Sequence, residues 1–310
     1  MDHIKIDYHH HIIPPVVTKL LEQNAALTQG LRLPQWNVDL SLDFMARNNI
    51  STAILSLPIP PWVLTENPSE TQSLARSVNT IMGNLKKEHA GKFGFFGCLP
   101  KLDDSQACIE EIRYAMTCLG ANGIMLFSSY GGKYLGHPDF EPVWHELALH
   151  SAIVFIHPTM EGAEQAIREP TVIPRPLCDW PHETTRTAVH LITTGTMRTH
   201  GAKCRIILSH GGGTLPYIAG RAADLGVQMG ILERPPGVFL EACRQFYFDV
   251  ALAGYKGPLQ LLLDFAAPGH VLYGSDFPFA QAPAVAQQAA DIADVVETRG
   301  ESATFGDLDL

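Results

Sequence analysis

With 310 residues, 46% of them apolar and 17% charged, the chain can bury a large core and is excluded from the disordered class. A net charge of −10 with no basic stripe argues against a nucleic-acid partner, and no apolar run reaches the about 20 residues of a membrane span. The six cysteines are scattered without a Cys-x-x-Cys pair and no basic-then-apolar leader opens the chain, so reduced thiols in a cytoplasmic protein are expected.

Short apolar runs alternate with longer stretches of helical spacing. In chain order the strand candidates are 4–11 (IKIDYHHH), 52–58, 93–100, 123–128, 152–158 (AIVFIHP), 205–212 (RIILSHGG), 246–252 (FYFDVAL) and 270–278 (HVLYGSDFP). Helices are predicted over 69–90, 103–119, 139–150, 184–194, 215–225, 256–266 and 284–298, with Asp103 or Asp104 and Asp139 as N-caps. Eight strands alternating with helices predict an α/β fold, a single (β/α)8 TIM-type barrel spanning 1–310. Two long connections, 12–38 and 159–183, follow strands and so belong to the face where barrel active sites form.

Three consecutive histidines, His9, His10 and His11, end the first strand. Strand alternation puts Asp7, His9 and His11 on one face and Tyr8 and His10 on the other. Two inward imidazoles at i and i+2 make a chelating pair, and His10 is expected to point into the helix layer. His157 ends the fifth strand candidate, His210 lies in the sixth and Asp276 in the eighth. A lone histidine after a strand is usually a hydrogen-bonded structural residue. Five such groups at the C-terminal ends of barrel strands instead predict a metal site on that face, with donors suited to Zn²⁺, Mn²⁺ or Fe²⁺. His182, in the second long connection, is a further histidine near this face.

Together "DYHHHIIP", "VFIHP", "LSHGGGTLPYIAGR", "YGSDFP" and "WPHETTRTAVHLITTG" resemble the amidohydrolase superfamily, in particular its aminocarboxymuconate-semialdehyde decarboxylase-like branch. Within that branch, residues 93–145 are most similar to fungal 6-methylsalicylate decarboxylases. The resemblance implies His9, His11, His157 and Asp276 as ligands of one divalent metal ion, and His210 as a nearby catalytic histidine. The fifth strand lacks the lysine that binuclear relatives use to bridge two metals, so a mononuclear site is implied. Histidine rather than glutamate at position 9 favours zinc, with manganese as the alternative. Arg221, eleven residues after His210, matches an arginine that reaches a substrate carboxylate across a dimer interface, which implies a homodimer or higher homo-oligomer. The family's usual closing helix is not recognisable in "TRGESATFGDLDL".

The implied reaction is a metal-dependent, non-oxidative carboxy-lyase reaction on a small aromatic carboxylic acid, 6-methylsalicylate giving 3-methylphenol and CO2. Asp276 or His210 would deliver the proton. Arg221 and Arg32 are candidates for bidentate contact with the carboxylate, and Trp180 and Phe279 for packing on the ring. The alternative is a hydrolase or hydratase of the same superfamily acting on a lactone, an amide or an unsaturated acid.

Overall fold

The computed structural model describes residues 5–23, 33–159, 169–171, 173–232, 235–300 and 305–308. Eight parallel strands follow one another around a barrel: β1 (Lys5–His11), β2 (Ile50–Ser56), β3 (Phe93–Gly97), β4 (Gly123–Phe127), β5 (Ile153–His157), β6 (Arg205–Leu208), β7 (Tyr247–Asp249) and β8 (Val271–Leu272). Every residue of β3, β4 and β5 is buried. Strands covered by side chains within and helices without must be apolar on both faces, and the sequence of these strands is apolar up to His157 at the end of β5.

The last strand is much shorter than the predicted 270–278. Only Val271 and Leu272 pair as a strand, with Phe248 and Asp249 of β7. Beyond them the backbone still closes the barrel against β1. Tyr8 N–H donates to Tyr273 O (3.0 Å), Asp276 N–H to His9 O (2.9 Å) and His11 N–H to Phe277 O (2.7 Å). The Asp7 carboxylate pins this seam. Its Oδ1 accepts from Ser275 N (2.9 Å), and its Oδ2 accepts from Ser275 Oγ (2.5 Å) and from His10 Nδ1 (3.0 Å).

Asp104 caps the helix Ser105–Arg113 by accepting from Ala107 N, one of the two caps expected there. Asp139 does not cap the next helix. A 3₁₀ turn, Pro138–Phe140, precedes Glu141–Leu149, and the Asp139 carboxylate instead accepts from Lys133 Nζ at 2.6 Å.

Both long connections contain helix. Pro15–Gln23 lies in the first. In the second, a helix begins at Arg175 and runs to Thr193, nine residues ahead of the predicted start, because Pro181 sits inside it rather than ending it. His182 and Trp180 are therefore helical residues. Among the described residues no helix is long and apolar enough to cross a membrane.

Candidate metal centre

The register of β1 against β2 decides where the three histidines point. Asp7 pairs with Ala53 and His10 with Leu55, so β1 carries one extra residue between these pairs. This β-bulge resets the alternation. It corrects the expectation that Asp7 shares a face with His9 and His11. Asp7 lies beside His10 at the seam, while His9 and His11 face the barrel interior. His10 turns to the helix Val38–Arg47, as expected, with its Nε2 3.1 Å from Ser41 Oγ.

Inside the barrel mouth, His9 Nε2 and His11 Nε2 approach to 2.9 Å. Asp276 Oδ1 lies 3.3 Å from His9 Nε2 and 3.4 Å from His11 Nε2. The His157 ring is 5.4 Å from that of His9 and 5.1 Å from that of His11. The ligand atoms of His9, His11 and His157 lie within 4.8 Å of one another, as do those of His9, His210 and Asp276, and the side chains are buried.

Each of three imidazoles has its Nδ1 occupied by an acceptor. His9 Nδ1 meets Asp249 Oδ2 at 3.1 Å. His11 Nδ1 meets Ser56 Oγ at 2.9 Å, and that hydroxyl in turn donates to His10 O at 3.5 Å. His157 Nδ1 meets the carbonyl of Pro158 at 2.9 Å. A carbonyl or a carboxylate can only accept, so the proton sits on Nδ1 and the Nε2 lone pairs are left for the interior. Three Nε2 atoms and one carboxylate suit a divalent first-row ion. Donors about 2.0–2.1 Å from a tetrahedral centre stand about 3.3 Å apart, close to the two separations to Asp276 Oδ1.

The electrostatics of His157, His11 and Asp276 agree with that donor set. Burial pushes His157 well below its ordinary value and lowers His11 as well, so both are neutral at pH 7. Burial and the neighbouring His9 take His210 down to about 4. Burial alone would raise the Asp276 carboxyl, but bonds from His11 and His9 hold it well below the usual carboxylate range. His9 differs: burial acts to lower it, and the Asp249 and Asp276 carboxylates outweigh burial to raise it to about 10.

Two of the five groups sit on left-handed backbone. His210 has φ 55° and Asp276 φ 58°, conformations rare outside glycine and frequent at functional sites. The predicted strand over 205–212 stops at Leu208, and His210–Gly212 forms a tight turn. Gly213, φ +64°, is required by close approach: a Cβ there would stand 1.9 Å from Pro181 O. Thr185 Oγ1 fastens the same junction by donating to Pro181 O (2.8 Å) and accepting from Thr214 N (2.8 Å).

Aromatic side chains surround the cluster. The Trp180 ring lies 5.5 Å from His157 and Phe279 lies 5.7 Å from His11, so both expected aromatics reach the site. Phe127 stands 6.2 Å from His157, with Trp62 a further 5.4 Å away edge to face. Phe155 forms the floor, 5.0 Å from His9. Arg221 is on the exposed face of the helix Leu215–Gln228, outside the buried cluster of its own chain. Arg32 lies outside the described residues. His182 is exposed, its Nδ1 3.5 Å from Thr214 Oγ1, and takes no part in the cluster.

Three contributions escape a reading of the sequence alone. Asp249, in "FYFDVAL", ends β7 as His157 ends β5, and a carboxylate at a strand's C-terminal end is the signal that could have found it. Ser56 and the Pro158 carbonyl carry no such signal, since a serine is an ordinary strand residue and every residue has a carbonyl.

The chain is 46% identical over 287 residues to decarboxylase macB of Penicillium terrestre, covering 89% of this chain and 84% of that one. It is 40% identical over 287 residues to a 6-methylsalicylic acid decarboxylase of Penicillium expansum, covering 91% and 87%. A crystal structure of an amidohydrolase II superposes with a TM-score of 0.86 at 27% identity, over 97% of each chain. A family model described as Amidohydrolase matches residues 6–304, and the chain belongs to the amidohydrolase family.

Proposed function

We propose that this chain is a metal-dependent, non-oxidative decarboxylase of a salicylate-like hydroxybenzoic acid, with 6-methylsalicylate as substrate and 3-methylphenol and CO2 as products. The observation that carries the reading is the buried cluster of three Nε2 donors and one carboxylate, walled by Phe127, Trp180 and Phe279. The wall suits a planar ring, and the relatives at 46% and 40% identity are decarboxylases by name.

In this reading His9, His11, His157 and Asp276 hold one divalent ion, zinc by preference over manganese. A divalent ion held there would supply Lewis-acid chemistry that disperses charge developing on the substrate. The aromatic wall holds the ring and excludes water. As the bond to the carboxylate breaks, its electron pair remains on the ring carbon, and a proton must arrive there. His210, beside the four ligands, and Asp276, one of them, are the ionisable groups that serve this transfer. Arg221, exposed on its own subunit, meets the substrate carboxylate from a partner subunit of a homodimer.

The experiment is a product assay. Protein reconstituted with Zn²⁺ or Mn²⁺ is incubated with a panel of 2-hydroxybenzoates that includes 6-methylsalicylate, and CO2 and the phenols are followed. Phenol and CO2 released together, and lost on chelation, support the reading. No CO2 from any member, with metal bound, overturns it in favour of a hydrolase or hydratase.

A further inference from the structure

Asp249 ends β7 with its side chain fully buried, and the two oxygens of its carboxylate face different partners. Oδ1 accepts two backbone N–H groups, from Ala251 at 2.9 Å and from His210 at 3.3 Å. Oδ2 faces His9 Nδ1 at 3.1 Å. The two backbone donors determine which atom can stand on their side, because an N–H cannot face another N–H. A carboxylate oxygen has no proton to donate, so the group that meets His9 is an acceptor and His9 must carry its proton on Nδ1. Packing removes the alternatives. A Cβ on Gly274 would lie 2.9 Å from His9 Cβ and 3.0 Å from Asp249 Oδ1, so the closing segment rests directly on the pair.

We propose that Asp249 is a positioning residue with two linked tasks. It fixes the His9 tautomer that presents the Nε2 lone pair to the cluster, and with the same carboxylate it holds the left-handed turn that carries His210. The inference rests on the reading of the cluster as a metal site.

Asp249→Asn tests it, because the replacement has one orientation open to it. The amide oxygen must stay with the N–H groups of Ala251 and His210. The NH2 group then faces His9 Nδ1 and forces that nitrogen to accept, which moves the ring proton to Nε2, where it blocks coordination. Asp249→Ala leaves Nδ1 without this constraint and creates a cavity. Zn²⁺ affinity, measured by competition with a chromogenic chelator, is expected to fall by about 10–100-fold in Asp249→Asn and by less in Asp249→Ala. Urea unfolding of the metal-free proteins should give the opposite order, with Asp249→Ala the less stable.

A merely structural role makes affinity follow stability, so tighter zinc binding by Asp249→Asn than by Asp249→Ala overturns the proposal. So does wild-type affinity in Asp249→Asn. A second measurement needs no variant: nitrogen-15 spectra of the zinc-loaded wild-type protein should show His9 bound through Nε2 with its proton on Nδ1. Binding through Nδ1 overturns the proposal. A wild-type protein that takes up no zinc or manganese removes the metal reading itself, a result distinct from any difference among the variants.

Discussion

His10 and Phe277 stack across the seam of the barrel, with ring centroids 4.6 Å apart and planes inclined by 26°. The same imidazole is held through Nδ1 by Asp7 and through Nε2 by Ser41. One bond stays within the first strand, on the carboxylate that locks the seam, and the other reaches the helix layer. His10→Ala should therefore retain bound metal and turnover while losing about 1–3 kcal/mol of stability, since it leaves Asp7 and Ser41 short of a partner. Metal content, activity and urea unfolding check this together, and loss of the metal would place His10 inside the cluster.

His157 and Asp276 stand in the opposite position. Each is buried and has a ligand atom aimed into the barrel mouth. Alanine at either site should abolish retention of the metal through desalting, as read by elemental analysis. A variant that keeps a full complement of metal would remove that residue from the ligand set.

His210 is separable from the ligands. Its turn is fixed by backbone bonds, including the one from its N–H to Asp249, so His210→Ala should preserve both the turn and the metal. Turnover should fall by about 10²–10⁴-fold, the usual contribution of a positioned acid or base. Steady-state kinetics on metal-replete protein decides this, and a wild-type rate would end the catalytic assignment.

Gly213→Ala should act on the site from outside it. A Cβ at Gly213 collides with the Pro181 carbonyl, and the left-handed backbone adds about 1–2 kcal/mol of its own. The helix that carries Trp180 is the part that must move. Denaturant unfolding should show the lost stability, and tryptophan fluorescence on adding substrate should weaken with it.

Metal binding should be visible as stability. A ligand present at 100 times its dissociation constant, and binding only the folded state, adds about 2.7 kcal/mol. Zn²⁺ or Mn²⁺ should raise the unfolding midpoint of chelator-treated protein accordingly, and no rise with either ion would argue for a barrel that does not use a metal.

Much of this arrangement is legible in the residues. The apolar runs of β3, β4 and β5 mark strands because a doubly covered parallel strand has no polar face to disguise it. His157 is found at the end of its strand by position alone. The difficulties lie where local rules give way to tertiary contacts. The β1 bulge moves Asp7 off the histidine face, and strict alternation has no means of showing an extra residue. Pro181 reads as a helix breaker, yet it is accommodated within Arg175–Thr193, where Thr185 takes up its carbonyl. Asp249 is a carboxylate at a strand end, but its partner His9 is named only when closure of the barrel brings β7 to face β1 across the interior.

The closing seam also sets an order of events in biosynthesis. Asp7 and Ser275, which lock it, are 268 residues apart in the chain. At roughly 5–20 residues per second, tens of seconds separate their emergence from the ribosome. His9 and His11 are made long before Asp276, so the nascent chain carries an open pair of imidazoles throughout that interval. Asp276 arrives only with the segment that shuts the barrel, so the buried cluster is completed late and together with the fold.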